Sequence, residues 1–261
     1  MRTIVLFLIL LGCGTSHITA QNDYLVTTIP NQEDPLSEEE QFIKENFPLQ
    51  LLCKWTPGMK FMFIPSGRDM FLPTLSVYET EKGADNSVLK HKILTFAGYE
   101  EKSQKLSNDM SYSTRLIFEC DGEKYYYEIK NTRPDEICEK NPRAYINGLV
   151  NLKDVDTAKD LLTGRKIYVQ SDMAQVDDAN SYSGYREVSI PVNTEATITA
   201  IGVGSQAYPV KIIFQDSQGH TYYLEVALSR TNSGMDVSDF QAEKKMRYFS
   251  NAISFSSKKS G

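Results

Sequence analysis

The chain contains one hairpin-like sequence twice, and this repeat constrains the fold more than any other feature. The first copy spans residues 115–129 and the second spans residues 211–226, with one residue inserted at the turn. Phe118 aligns with Phe214, and a glycine, a tyrosine pair and a glutamate follow in both copies. Each copy is a β-branched and aromatic run, a polar turn with glycine, and a second such run, which is typical of a β-hairpin. The repeat therefore predicts two related β units.

The two units run from Gly58 to Ile129 and from Gly164 to Val226. Each has strand-like apolar segments ahead of its hairpin and a long polar loop after the first of them. Four or five short strands in roughly 65 to 75 residues suit a small closed barrel or a compact sandwich. In strand order and loop length the units resemble bacterial SH3-like barrels. The resemblance implies a mainly β fold of two similar SH3-like barrel units in tandem, and a role in binding peptides, cell-wall fragments or partner proteins.

A short helix is predicted before each unit. The sequence from Ser37 to Glu40 is a capping box, which predicts a helix that ends near Pro48. Residues 154–163 predict the second helix, which a glycine ends. Residues 37–150 would then hold the first helix, the first unit and a connection, and residues 151–261 the second helix, the second unit and a C-terminal helix. The apolar side of that last helix would contain Phe240, Met246, Phe249 and Ile253.

The N-terminus has the pattern of a bacterial export signal. Arg2 precedes an apolar run that is too short to be a permanent membrane span, so residues 1–20 are predicted to be a signal peptide. Cleavage after Ala20 would leave residues 21–36 as an extended lead-in. Alternatively, the sequence up to Cys13 resembles a lipobox, which would make Cys13 a lipidated first residue. Both alternatives predict an extracytoplasmic protein, periplasmic, at the cell surface or secreted, whose only membrane attachment would be a lipid anchor.

Three cysteines follow Ala20, and an odd number cannot all pair within one chain. Export permits disulfides, and Cys120 and Cys138 are the candidate pair. The second hairpin has Asp216 where the first has Cys120, so a bridge is not part of the repeated design. The alternative is that all three thiols are reduced and mostly buried.

Composition excludes some partners and offers no catalytic motif. The formal net charge is −6 and no Lys/Arg cluster is present, which argues against nucleic acid or an anionic membrane surface as partner. The sequence contains no hydrolase, metal or phosphate-loop motif. No metal or other cofactor is predicted, because the acids of residues 172–180 match no calcium-loop spacing. Glu128 and Glu225 recur at equivalent places, which favours pairing with the recurring Arg115 and Lys211 over catalysis.

Tyrosines are the candidate ligand-binding residues: Tyr125, Tyr126, Tyr127, Tyr222 and Tyr223. Neighbouring side chains of a strand point to opposite faces, so one of each pair must face outward if the other lies in the core. Outward tyrosine rings provide flat, amphipathic contact area for peptide or sugar. We therefore predict a non-enzymatic binding or assembly module of the bacterial envelope, whose ligand is an unknown peptide, glycan or partner protein. The alternative is an envelope-associated hydrolase, or its accessory subunit, with an unrecognised carboxylate pair.

Overall fold

A computed structural model of the 261-residue chain describes residues 35–65, 72–106, 109–140, 146–181, 184–231 and 248–257. The predicted signal peptide, Cys13 and nearly all of the lead-in lie outside these ranges, as do Phe240 and Met246 of the predicted C-terminal helix. Residues Leu36–Gly261 belong to one compact unit. Within the ranges described, no helix is long and apolar enough to cross a membrane.

The fold is mainly β and consists of two antiparallel sheets. The strands are β1 (Lys60–Phe63), β2 (Ser76–Val77), β3 (Ile93–Leu106), β4 (Asp109–Cys120), β5 (Glu123–Lys130), β6 (Leu149–Asn151), β7 (Lys166–Val169), β8 (Met173–Asp177), β9 (Tyr185–Ser189), β10 (Thr194–Val203), β11 (Val210–Asp216), β12 (Thr221–Val226) and β13 (Ile253–Ser254). The first sheet has the order β2-β5-β4-β3-β1-β6, and the second has the order β13-β7-β10-β11-β12-β8-β9.

Both sheets repeat one strand order. Strands β2-β5-β4-β3-β1 of the first correspond to β8-β12-β11-β10-β7 of the second. The register shifts after Phe96 in β3 and after Ile198 in β10, at matched points. The amide of Gly58 donates to the Phe96 carbonyl, and that of Gly164 donates to the Ile198 carbonyl, both at 2.8 Å. Each sheet is then extended by a short strand, β6 or β13, from the segment that follows its unit. The predicted hairpins β4–β5 and β11–β12 are confirmed.

Four α-helices have both ends within the described chain: α1 (Glu38–Asn46), α2 (Asn86–Leu89), α3 (Ile137–Lys140) and α4 (Leu152–Leu162). Residues 248–250, at the start of the last described range, are also helical. The predicted capping box of α1 is present, because the Ser37 hydroxyl accepts from the Glu40 amide and the Glu40 carboxylate accepts from the Ser37 amide. The prediction of α4 is also confirmed. A short 3-10 turn at Leu52–Lys54 leads into the first sheet.

Helix α1 packs on the second sheet, although it precedes the first in sequence. Ile43 and Phe47 are fully buried in the core that contains the inner residues of β7, β10 and β11. The Glu39 carboxylate accepts from the Ser254 hydroxyl at 2.8 Å and from the Phe255 amide at 2.7 Å. Its place in the sequence groups α1 with the first unit, but the apolar face and the buried acid of α1 both contact the second.

Two further expectations are corrected by the structure. The polar segment after β7 was expected to be a long loop, and it instead contains the β8–β9 hairpin. Ile253 was assigned to the C-terminal helix and instead lies in β13, opposite Val169 of β7. The β8–β9 hairpin consists largely of polar residues, and β13 is a two-residue strand that pairs with the distant β7, so neither has a strong local β pattern.

A buried polar cluster connects α4 to the segment after β12. The Asp154 carboxylate accepts hydrogen bonds from the hydroxyls of Ser229 and Thr231. The Asn151 side-chain amide donates to the Thr231 hydroxyl at 2.8 Å. Gln50, which lies ahead of the first sheet, forms a parallel bridge with Thr231. The segment ahead of the first sheet therefore meets the segment after β12 at this cluster.

Candidate binding surface

The five candidate tyrosines divide between the two faces of their sheets. Tyr125 and Tyr127 face the first core, and Tyr222 packs against the second core, where it stacks on Phe214 at 5.8 Å. Tyr126 and Tyr223 lie on the opposite faces, as the strand alternation predicts. These outward tyrosines are nevertheless only 5% and 7% exposed, because other side chains cover them.

The covering residues of Tyr126 form a cluster on the outer face of the first sheet. The Arg115 guanidinium lies over the Tyr126 ring at 4.1 Å, and Tyr78 meets the same ring edge-on at 6.3 Å. One oxygen of Glu81 accepts from Arg115 at 2.7 Å and from the Lys102 ammonium at 2.9 Å. We call these residues, Tyr78, Glu81, Lys102, Arg115 and Tyr126, the first aromatic–cation cluster. It combines a stacked cation with a charge-assisted carboxylate contact.

Electrostatics fixes Glu81 as an anion. Hydrogen bonds from Arg115 and Lys102 lower the pKa of Glu81 to about 2. The Arg115 side chain is 6% exposed, whereas that of Glu81 is 53% exposed, so the carboxylate caps a buried cation from the solvent side. The Nε atom of Arg115 is buried without a hydrogen-bond partner. The stacking on Tyr126 and the bond to Glu81 are therefore the contacts that compensate this buried charge.

The second sheet has a matched but different cluster. The Lys211 ammonium lies 3.4 Å from the centre of the Tyr223 ring, and Tyr185 of β9 meets that ring edge-on at 6.3 Å. Lys211 occupies the place of Arg115, and Tyr223 that of Tyr126, in the repeated hairpin. Burial, followed by the charge of Asp177, raises the pKa of Tyr223 to about 12. This ring therefore stays neutral and available for cation contact at neutral pH.

The recurring glutamates lie where the sequence predicted, opposite the recurring cations. Glu128 is in register with Arg115, and Glu225 with Lys211. However, Arg115 forms its ion pair with Glu81, while the Glu128 carboxylate accepts from the Ser113 hydroxyl at 2.7 Å. The Glu225 carboxylate accepts from the amide of Ser205 at 3.2 Å. The two glutamates belong to different sheets, and each accepts a hydrogen bond from a serine of its own unit. This arrangement favours a structural role for both over a shared catalytic site.

The predicted Cys120–Cys138 pair is wrong: the disulfide joins Cys53 to Cys138, with Cα atoms 5.4 Å apart. Cys53 lies in the 3-10 turn that packs against α3, where Cys138 is located. Cys120 is free and buried, because it is the last residue of β4 and its side chain faces the first core. Burial raises the pKa of the Cys120 thiol, which disfavours the reactive thiolate.

An open depression of about 400 Å³ lies beside the tip of the first hairpin. Its lining residues are Ile93, Thr95, Glu119, Cys120, Asp121, Gly122 and Lys124. The one buried residue among them is Cys120, and the exposed Lys92 and Asp121 form an ion pair at 2.7 Å at its edge. An unreactive thiol with exposed charges around it provides no activated nucleophile.

Other candidate residues are placed apart. Within the described chain, no three side chains of His, Cys, Asp or Glu lie together in a way that could hold a metal ion. His220 lies at the exposed tip of the second hairpin, where its Nδ1 is 3.2 Å from an Asp216 oxygen. His91 lies at the turn into β3 and has a positive φ of 63°. Its place in the chain is therefore that of a turn residue.

Sequence reasoning identified the two outward tyrosines but missed Tyr78, Glu81 and Lys102. Glu81 lies in the turn after the two-residue strand β2, and Lys102 lies in the polar second half of β3. The repeat could have pointed to the cluster, because the hairpin places a cation on the same face as Tyr126 and Tyr223 in both copies. A buried cation beside an aromatic ring calls for a carboxylate nearby.

Comparison with protein-family models, with curated proteins and with solved structures found no match for this chain.

Proposed function

We propose that this chain is an exported, non-enzymatic binding or assembly module of the bacterial envelope, built from tandem SH3-like units. The observation that carries the proposal is the aromatic–cation cluster that recurs on the outer faces of both sheets at matched positions. Each cluster contains two tyrosines and a cation stacked on one of them, groups that bind extended peptides or sugar rings. The recurrence of strand order supports the tandem-unit part of the proposal.

A binding screen tests the proposal. The chain from residue 21 to residue 261 would be titrated with panels of synthetic peptides and soluble cell-wall fragments, followed by two-dimensional NMR. We expect a ligand that shifts resonances of Tyr185 or Tyr78, and a loss of affinity of about tenfold in Tyr185→Ala or Tyr78→Ala, since a contact tyrosine contributes 1 to 2 kcal/mol or more at a binding centre.

Tyr208→Ala is the matched control, because Tyr208 is an exposed tyrosine outside both clusters. Equal loss of affinity in this variant would contradict the assignment of the clusters as the binding surface. The absence of any ligand in either panel would contradict the proposed function. Cleavage of a cell-wall fragment during the titration would favour the alternative, an envelope-associated hydrolase or its accessory subunit.

A further inference from the structure

We propose that the first aromatic–cation cluster is a receptor site for an acidic side chain of a partner polypeptide, and that Glu81 occupies this site as an internal substitute. The proposal deepens the proposed function and rests on it. It assigns one cluster, one ligand group and one residue of the chain that competes for the site.

The two cations of the cluster are arranged for a carboxylate. Arg115 of β4 and Lys102 of β3 both donate to the same oxygen of Glu81. Arg115 is almost fully buried and also stacks on the Tyr126 ring below it, so a second contact besides Glu81 holds its guanidinium. A fixed guanidinium on an aromatic face with a second ammonium beside it is chemistry that selects carboxylates.

The neighbouring acids do not fill the site. Glu100 faces the cluster and accepts from the Tyr78 hydroxyl at 2.8 Å, and Glu128 faces it and accepts from Ser113. Both carboxylates therefore already have a partner on the outer face of the sheet. If the Glu81 side chain leaves, Arg115 and Lys102 lose their shared acceptor, while the two neighbouring carboxylates keep their own hydrogen bonds. The position that the Glu81 carboxylate held then faces solvent.

The Glu81 side chain can leave the two cations by rotation, without any opening of the turn that carries it. The turn is closed by its own hydrogen bonds, because the Glu81 amide donates to the Val77 carbonyl at 2.9 Å and the Val77 amide donates to the Lys82 carbonyl at 2.8 Å. The backbone φ of Glu81 is 55°, in the left-handed region that residues other than glycine rarely adopt. Since the Glu81 side chain is 53% exposed, its carboxylate can move into solvent while the backbone stays in place.

The second sheet shows that the repeated design does not require such a cap. Among the described residues, no carboxylate lies within ion-pair distance of Lys211, the counterpart of Arg115. The carboxylate cap is therefore a feature of the first unit. Its occupant is a glutamate side chain presented by a turn at a sheet edge, so the chemistry of the site matches an acidic residue of a polypeptide.

Removal of Glu81 should open the site to an external acid. The probe is N-acetylglutamate amide, with N-acetylglutamine amide as its uncharged match, titrated against the chain from residue 21 to residue 261 and followed by NMR. We expect the acidic probe to shift resonances of Tyr78, Lys102 and Tyr126 in Glu81→Ala with an affinity about tenfold tighter than in wild type, where the internal carboxylate competes. Glu81→Gln keeps the turn and should show the same gain.

Two matched controls isolate the site. Glu79→Ala removes an acid of the same turn whose carboxylate does not cap Arg115, and should leave the affinity of the acidic probe at the wild-type value. Adding Lys102→Ala to Glu81→Ala should reduce the affinity for the acidic probe several-fold, because Lys102 is one of the two cations that hold the carboxylate. Adding Lys82→Ala should not reduce it, because Lys82 is an exposed lysine of the same turn that is not part of the cluster. Equal binding of both probes, or no gain in either Glu81 variant, would overturn the inference.

A sugar acid separates the sources of the carboxylate. Glucuronate that bound as tightly as N-acetylglutamate amide would overturn the assignment to a polypeptide. The acidic probe could fail to bind at the first cluster while peptides still bind at the cluster of Lys211, Tyr223 and Tyr185. That result would refute this inference and leave the proposed function intact. Failure of every ligand at both clusters would refute both.

Discussion

Removal of the Cys53–Cys138 disulfide should cost about 4 to 5 kcal/mol in the free energy of unfolding. The bridge spans 85 residues, and this loop contains every strand of the first sheet except β6. Reduction frees the unfolded chain to adopt conformations that the loop forbids. The loop-closure relation converts 85 residues into about 4.6 kcal/mol at 25 °C. The bridge that was predicted from sequence would close a loop of about 18 residues, for which the same relation gives about 3.2 kcal/mol.

Guanidinium unfolding of the double variant Cys53→Ser/Cys138→Ser would measure this loss, followed by far-UV circular dichroism. The unfolding midpoint should fall and the slope should rise, because the unfolded chain exposes more surface without the bridge. Cys120→Ala is the control: it removes one buried sulfur, should cost about 1 kcal/mol, and should leave the effect of reductant on the chain unchanged. Peptide mapping without reductant that finds Cys120 in a disulfide would refute the reasoning, as would a wild-type midpoint that reductant does not move.

Three further predictions test other parts of the structure. Asp154→Ala should lower the free energy of unfolding by about 2 to 4 kcal/mol, because two buried hydroxyls lose this acceptor, whereas Asp156→Ala on the exposed side of α4 should change it by about 0.5 kcal/mol or less. Gly58→Ala and Gly164→Ala should each cost about 1 to 2 kcal/mol, because φ is +94° and +82° there. Burial alone would raise the pKa of Glu39, but hydrogen bonds from Phe255 and Ser254 outweigh it and lower the pKa. A lowered folded-state pKa gives stability that is present above the ordinary glutamate pKa of about 4.3 and is lost as the pH falls through the folded value, so acid unfolding should be less steep in Glu39→Gln.

Chemical unfolding at fixed pH checks the first two predictions, and an unfolding series between about pH 2 and pH 7 checks the third. Equal losses in Asp154→Ala and Asp156→Ala would contradict the buried cluster as a stabilising element. Costs at the two glycines that differ by more than about 1 kcal/mol would contradict their equivalence in the repeat. Parallel acid-unfolding curves for wild type and Glu39→Gln would contradict the role assigned to the buried carboxylate.

The strands were predictable wherever alternation and turn residues agree. The hairpin register that places Phe118 opposite Tyr125, and Phe214 opposite Tyr222, follows from the repeated pattern and the glycine turns. The capping box of α1 was readable because its two bonds connect residues three apart. Such features are formed by residues close together in the chain, so they can be predicted from a single sequence.

Features that depend on distant contacts were not predictable. The disulfide partner of Cys138 depends on how α3 packs against the 3-10 turn, which no spacing of cysteines encodes. Likewise, the Glu81 cap of Arg115 joins residues 34 positions apart through a turn that carries no motif. The outward tyrosines were identified, but their burial depends on cations and rings from neighbouring strands, so an exposed groove could not be inferred from alternation alone.

The contact between α1 and β13 constrains the order in which parts of the chain can dock during synthesis. Glu39 and the Ser254 that bonds to it are separated by 215 residues. At about 5 to 20 residues per second, a ribosome needs about 10 to 40 s between making the first and making the second. The Glu39 carboxylate lacks its donors Ser254 and Phe255 throughout that interval, even after the residues of β7, β10 and β11 that pack on Ile43 and Phe47 have been made. Helix α1 is thus made before every strand of the second sheet, and its docking is complete only when β13 has been added.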